Sequence, residues 1–172
     1  MTTPQISIGL INPKSPDNVG SVLRAAANYG ADQVLYTGNR YPRAIERSAR
    51  SVDMSRKLGR GIPISQADCL IDAVAEDVTI ICVEFAENAS PLPAYQHPQK
   101  ALYIFGPEDG SISQEVIDRA DDVLYIPTVG SMNLSATVNV LLYDRLVKTA
   151  DYGVGNAFIR ESRDTNNRLK AS

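Results

Sequence analysis

Short, largely apolar runs that do not alternate with polar residues constrain this chain more than any other feature. Residues 6–11, 33–36, 78–83, 101–105 and 123–126 read as strands. A strand with one wet face alternates apolar and polar residues; these do not, so both faces need cover, which favours a parallel sheet. Helical patterns fall between them, at residues 18–29, 42–49, 66–75, 113–120 and 134–150. In the first, Val19, Leu23 and Ala26 or Ala27 share a face and Gly30 is the stop; Ser113 is the expected cap of the fourth, with Glu115 in its first turn. Strand and helix alternate, so the fold class is α/β: a mostly parallel sheet with helices on both faces. At 172 residues the chain makes one domain, expected over residues 1–155, with a polar, basic C-terminal tail over 156–172 whose last dozen residues are expected to be mobile.

Composition enters as a set of exclusions. No window of 18 apolar residues exists, and the first residues lack the basic and apolar regions of a signal peptide, so the expected location is the cytoplasm. Cys69 and Cys82 then read as reduced core thiols. His97 is the sole histidine, too little for a zinc site, and no metal is expected. The net charge of -3 speaks against a nucleic-acid partner, but its distribution speaks for one. Arg40, Arg43, Arg47, Arg50, Arg56, Lys57 and Arg60 face only Glu46 and Asp53, and Arg160, Arg163, Arg168 and Lys170 form a second basic group. Local basic density, not the whole-chain sum, decides phosphate binding. A solvated helix face explains the same charges equally well when they are taken alone.

Three polar clusters follow strands: Asn18-Val19-Gly20 with Arg24, Gly106-Pro107-Glu108, and Pro127 through Ser131-Met132-Asn133. Ligands of open α/β sheets bind beyond the carboxyl ends of the strands, so the three converge on one composite site. No G-x-G-x-x-G and no G-x-x-x-x-G-K-[ST] is present, and no serine–histidine pair for acyl transfer. Each cluster alone has a plainer reading: Asn18 as a helix cap, Gly106-Pro107 as a turn, Ser131 and Asn133 as caps of the last helix. Their joint occurrence is harder to explain that way.

The residues Asn18-x-Gly20-x-x-x-Arg24, Phe105-Gly106-Pro107-Glu108 and Pro127 through Ser131-Met132-Asn133-Leu134-Ser135 occur in this order across nearly the whole chain. With them the chain resembles the SPOUT superfamily of RNA methyltransferases, in its SpoU/TrmH branch of ribose 2′-O-methyltransferases. The resemblance implies a deep C-terminal trefoil knot, which no periodicity suggests and the general topological rule opposes. It implies S-adenosyl-L-methionine as cofactor, gripped around Val83, Glu84, Gly106, Ile126, Ser131 and Leu134. It implies a homodimer with an active site shared between subunits, in which Arg24 of one chain reaches the cofactor of the other. Arg24, Glu108, Ser131 and Asn133 would be catalytic, the last three orienting Arg24 and the nucleotide, while Asn18, Arg43 and Arg47 would contact RNA. Two departures are visible: Ser111 stands where the family commonly has glycine, and the stretch from Pro127 to Ser131 is short.

The implied reaction is an in-line displacement by a ribose 2′-oxygen on the sulfonium methyl group, with no metal. The resemblance gives proton removal to Arg24, although a guanidinium with pKa above ~12 stays protonated. Either its surroundings lower that pKa greatly, or Arg24 positions the nucleotide and another group takes the proton. A compact chain favours transfer RNA over ribosomal RNA as substrate. The competing readings are an rRNA enzyme of the same branch, a non-catalytic RNA- or nucleotide-binding module of the same fold, and an N1-type base methyltransferase.

Overall fold

The structure, a computed structural model, describes residues 5–49, 61–149 and 152–171. Arg50, Arg56, Lys57 and Arg60 of the basic segment lie outside the described residues. In chain order the elements are β1 (Gln5–Leu10), α1 (Pro16–Asn28), β2 (Gln33–Tyr36), α2 (Arg40–Ala49), β3 (Ile64–Gln66), β4 (Thr79–Val83) and β5 (Ser90–Pro91). A 3-10 turn (Leu92–Ala94), β6 (Lys100–Phe105), α3 (Gln114–Asp118), β7 (Asp122–Tyr125), α4 (Leu134–Thr149) and α5 (Gly155–Ser162) complete them. The seven strands form one sheet in the order β3-β2-β1-β6-β4-β7-β5, and every pairing is parallel.

Both faces are covered, as the non-alternating apolar runs require. In β6, Ala101, Tyr103 and Phe105 join one buried cluster, while Leu102 and Ile104 join the other. The first cluster takes Val19, Val22, Leu23 and Ala26 from α1 and Val138, Leu141 and Leu142 from α4. The second takes Leu70 and Ile112, with Val116 and Ile117 of α3 packed against it. At ~25 cal/mol per Å², each such fully buried aliphatic side chain contributes about 1.5–3 kcal/mol.

Two expectations need correction. Residues 66–75 are not a helix. Gln66 ends β3, paired with Tyr36, and the Ala67 amide still bonds the Tyr36 carbonyl at 2.9 Å. Residues 70–73 are turns, from which Leu70, Ile71 and Val74 still reach the core, so the helical spacing there recorded packing alone. Ser113 occupies the cap position of α3, but its hydroxyl makes no capping bond. The tail contains a helix, α5, which overlaps only the start of the last dozen residues expected to be mobile. Among the described residues no helix is long and apolar enough to cross a membrane.

Candidate active site

The loops that leave the carboxyl ends of β4, β6 and β7, together with Asn18 of α1 behind β1, enclose a cavity of about 260 Å³. Its floor is apolar: Val83, Phe105 and Leu134 are each buried. Its walls carry two carboxylates, Glu84 and Glu108, and its mouth carries Thr128, Ser131 and Asn133.

One chain of hydrogen bonds runs through all three sequence clusters. Asn18 Nδ2 donates to Glu108 Oε1 at 3.1 Å, and Asn133 Nδ2 donates to Asn18 Oδ1 at 3.0 Å. Asn133 Oδ1 in turn accepts from the Ser135 amide at 2.9 Å and from the Ala136 amide at 3.4 Å, capping α4. Glu108 also closes the turn that starts α1. It accepts from the Lys14 amide at 2.8 Å and the Ser15 amide at 3.0 Å. Burial pushes the Glu108 carboxyl up, but the bonds from Ser15, Lys14 and Asn18 outweigh it and hold its pKa below the usual carboxylate value. A carboxylate so engaged is a poor proton acceptor at neutral pH.

Glu84 closes the opposite wall. Its Oε1 accepts from the Phe85 amide at 2.9 Å and its Oε2 from the Ile112 amide at 3.0 Å. This pulls the 106–112 loop over β4. A Cβ on Gly106 would lie 3.3 Å from the Ile112 nitrogen and 3.4 Å from Glu84 Oε2, so the glycine serves this loop closure. Gly130 is needed for a different reason: its φ is +86°, in the left-handed region.

The structure gathers Asn18, Val83, Glu84, Gly106, Glu108, Ile126, Ser131, Asn133 and Leu134 on one cavity. Arg24 is not among its lining residues; it lies exposed on α1, not buried at the strand end. The expected orientation of Arg24 by Glu108, Ser131 and Asn133 is therefore not made within one chain, where Glu108 and Asn133 hold Asn18 instead. Arg43 and Arg47 are exposed on α2, away from the cavity lining. Asn18, expected to contact RNA, spends both ends of its amide on Glu108 and Asn133.

Sequence reasoning missed Phe85, Tyr125 and Thr137 on the cavity wall, and included Thr128 and Met132 only as part of the third cluster. Thr137 was within reach, being one helical turn past Asn133. Phe85 was not, because nothing in a lone aromatic after a strand marks it as half exposed, at 51%.

Residues 5–143 match the family described as SpoU rRNA Methylase. The chain belongs to this family of RNA methyltransferases. The tRNA (cytidine-2′-O-)-methyltransferase TrmJ of Methanocaldococcus jannaschii is 28% identical over 159 residues, covering 83% of this chain and 68% of the relative. The SpoU methyltransferase AviRb of Streptomyces viridochromogenes, solved with AdoMet, superposes with a TM-score of 0.67 at 18% identity, over 88% of this chain and 60% of AviRb. A structure concerned with 2-OH methylation of C/U34 on tRNA superposes with a TM-score of 0.68 at 22% identity, over 87% of this chain and 94% of its own. The SpoU fold accounts for the three motifs at once: they follow β1, β6 and β7, three of four adjacent strands in the order β1-β6-β4-β7.

Proposed function

We propose that this SpoU-family chain methylates ribose 2′-hydroxyls of RNA, with transfer RNA as substrate and S-adenosylmethionine as methyl donor. The observation that carries the reading is the cavity itself. The three motifs meet there through the bonds Glu108–Asn18–Asn133, and the family match spans them all. TrmJ is a tRNA enzyme, and the tRNA C/U34 structure matches over nearly its whole length, which supports transfer RNA over ribosomal RNA.

The cavity suits the cofactor chemically. Buried Val83, Phe105 and Leu134 offer an apolar surface for a purine. Glu84 and Glu108 set a negative field that complements a sulfonium cation. At about 260 Å³ the cavity is near the lower end of small-molecule pockets, roughly 300 Å³. Val83, Glu84, Gly106, Ile126, Ser131 and Leu134 would hold the cofactor, which supplies an activated methyl group when bound. The residues of the chain do the rest. Asn133 holds the first turn of α4 against Asn18, Glu108 holds the start of α1 against the 106–110 turn, and the exposed Ser131 presents a hydroxyl at the mouth.

Arg24 is exposed and off this cavity, so its catalytic part requires a second subunit whose cavity it enters. The proposal therefore includes a homodimer with a shared site, built on α1 and α4, and the C-terminal trefoil knot of the fold. It places the enzyme in the cytoplasm, where free thiols such as Cys69 and Cys82 persist. Isothermal titration with S-adenosylmethionine should show about one site per chain. Mapping 2′-O-methyl groups in tRNA and rRNA from a deletion strain should show one lost tRNA site. A lost rRNA site would move the substrate, and no binding of the cofactor would leave only an RNA-binding module.

A further inference from the structure

Arg40 was counted with the basic residues that face RNA, but its guanidinium turns inward. Nη1 bonds Asp109 Oδ1 at 2.8 Å and Oδ2 at 3.1 Å. Nε donates to the Asn12 carbonyl at 3.1 Å, and the Arg40 amide donates to Asn12 Oδ1 at 3.4 Å. The remaining nitrogen, Nη2, is buried without a hydrogen bond among the described residues, and it stands 3.7 Å from Glu108 Oε2. A movement of under about 1 Å would turn that separation into a charge-assisted bond.

Arg40 begins α2, and Arg43 and Arg47 follow at i+3 and i+7, the same helical face. Both are exposed. The stripe thus has one end tied to the Glu108–Asp109 turn and two cations exposed to solvent. The Glu108 end continues through Asn18 and Asn133 to the first turn of α4. Near this end of α2, Tyr41 is buried, with its ring edge-on to Tyr36 at 5.2 Å.

We propose that Arg40 is a positioning residue: it fixes the exposed Arg43–Arg47 face at a set distance from the cofactor cavity, so that RNA phosphates held there bring the ribose into register. This rests on the methyltransferase reading above. Arg40 itself touches no RNA. Asp109, an acid that would repel RNA if it acted alone, is the other half of the same device.

The test uses the full-length protein with unmodified tRNA prepared from a strain lacking the gene. Arg40→Ala should lower the single-turnover rate at saturating tRNA by at least ~10-fold, with S-adenosylmethionine affinity within about 2-fold of wild type and the salt dependence of tRNA binding unchanged. A phosphate-contacting arginine behaves differently: its loss reduces the salt slope by about one unit and weakens binding. Arg40→Lys should not rescue, because one ammonium cannot span Asp109 and the Asn12 carbonyl together. Asp109→Asn should slow the reaction comparably although it removes a negative charge, and the double variant should be no slower than either single one. A shallower salt slope for Arg40→Ala, rescue by lysine, or additive losses would overturn the assignment. A wild-type protein that transfers no methyl group would overturn the methyltransferase reading instead, and the two failures are told apart by that control.

Discussion

Glu108 shows how one side chain can fix the geometry of a site through its bonds to the backbone. Its carboxylate takes two backbone amides and one side-chain amide, so α1 begins where the 106–110 turn dictates. Glutamine in its place offers one oxygen and an NH2 that cannot accept. Glu108→Gln should leave a backbone amide near Lys14 or Ser15 without an acceptor and cost about 1–3 kcal/mol. The loss should appear in denaturant midpoints at neutral pH. It should shrink as pH falls below ~4.3, since a depressed carboxyl pKa stabilises only above that range. An unchanged midpoint would mean that solvent replaces the lost acceptor. Arg24 is the opposite case: exposed, and unused within its own chain's cavity. Arg24→Ala should lower the methyl-transfer rate at least ~100-fold while leaving folding and cofactor affinity intact, the usual scale of a lost acid–base or positioning group. Single-turnover assays decide this, and a near-wild-type rate removes Arg24 from the mechanism.

At the scale of elements, α4 is held at both ends by polar bonds. Its start is the Asn133 cap. Towards its end, Arg145 donates to the Pro98 carbonyl at 2.7 Å and to Tyr103 Oη at 2.8 Å, and Lys148 reaches the Leu92 and Tyr95 carbonyls at 2.6 and 3.0 Å. His97 joins this set: Nδ1 lies 2.7 Å from Tyr103 Oη and Nε2 lies 2.9 Å from Asp144 Oδ2. A neutral imidazole protonated on Nε2 satisfies every member, since Tyr103 accepts from Arg145 and donates to Nδ1. Burial pushes the His97 pKa down, against the bond to Asp144 that pushes it up, and the nearby Arg145 adds to the lowering. The unfolded histidine, near ~6.5, then binds its proton at higher pH than the folded one. Stability therefore rises with pH across that window and is lost as pH falls from ~6.5 towards the folded value. Thermal melts between pH ~7.5 and ~5.5 should show this decline, and His97→Gln should flatten it; an equal slope in the variant would assign the effect elsewhere. The lone histidine of the sequence, dismissed there as a poor metal ligand, is thus a buried bond between a loop and a helix.

For the whole molecule, the open question is its partner. Val138, Leu141, Leu142 and Leu146 suggest from sequence more apolar surface on the last helix than one sheet face needs; the first three are spent on the chain's own core, and Leu146 is half-buried. The exposed apolar residues of α4 are Val140, Tyr143 and Val147, spaced i, i+3 and i+7 along one stripe, and α5 adds Phe158 and Ile159. A stripe of this kind fits burial against a second copy. Sedimentation at micromolar concentration should show a dimer, and Tyr143→Glu with Val147→Glu should give a folded monomer with normal cofactor affinity but no methyl transfer. A wild-type monomer would remove the shared site. Such a result would leave Arg24 without a cavity to enter.

The sequence by itself determined five of the seven strands, the α/β class and the three clusters, because apolar runs and strand-end polar residues are local signals that period and position carry; the short β3 and β5 left no such signal. It also marked Asn18, Glu108 and Asn133 as belonging together. Only the tertiary structure decided what they do. Asn18 and Asn133 are 115 positions apart, and their bond depends on β1 and β7 ending on the same side of one sheet. The same cause turned Gln66 from a helix start into an edge strand and paired Arg40, one member of the basic run, with Asp109. Local propensity chooses among conformations that differ by tenths of a kcal/mol per residue; pairing and burial, worth more, settle the choice once distant parts meet.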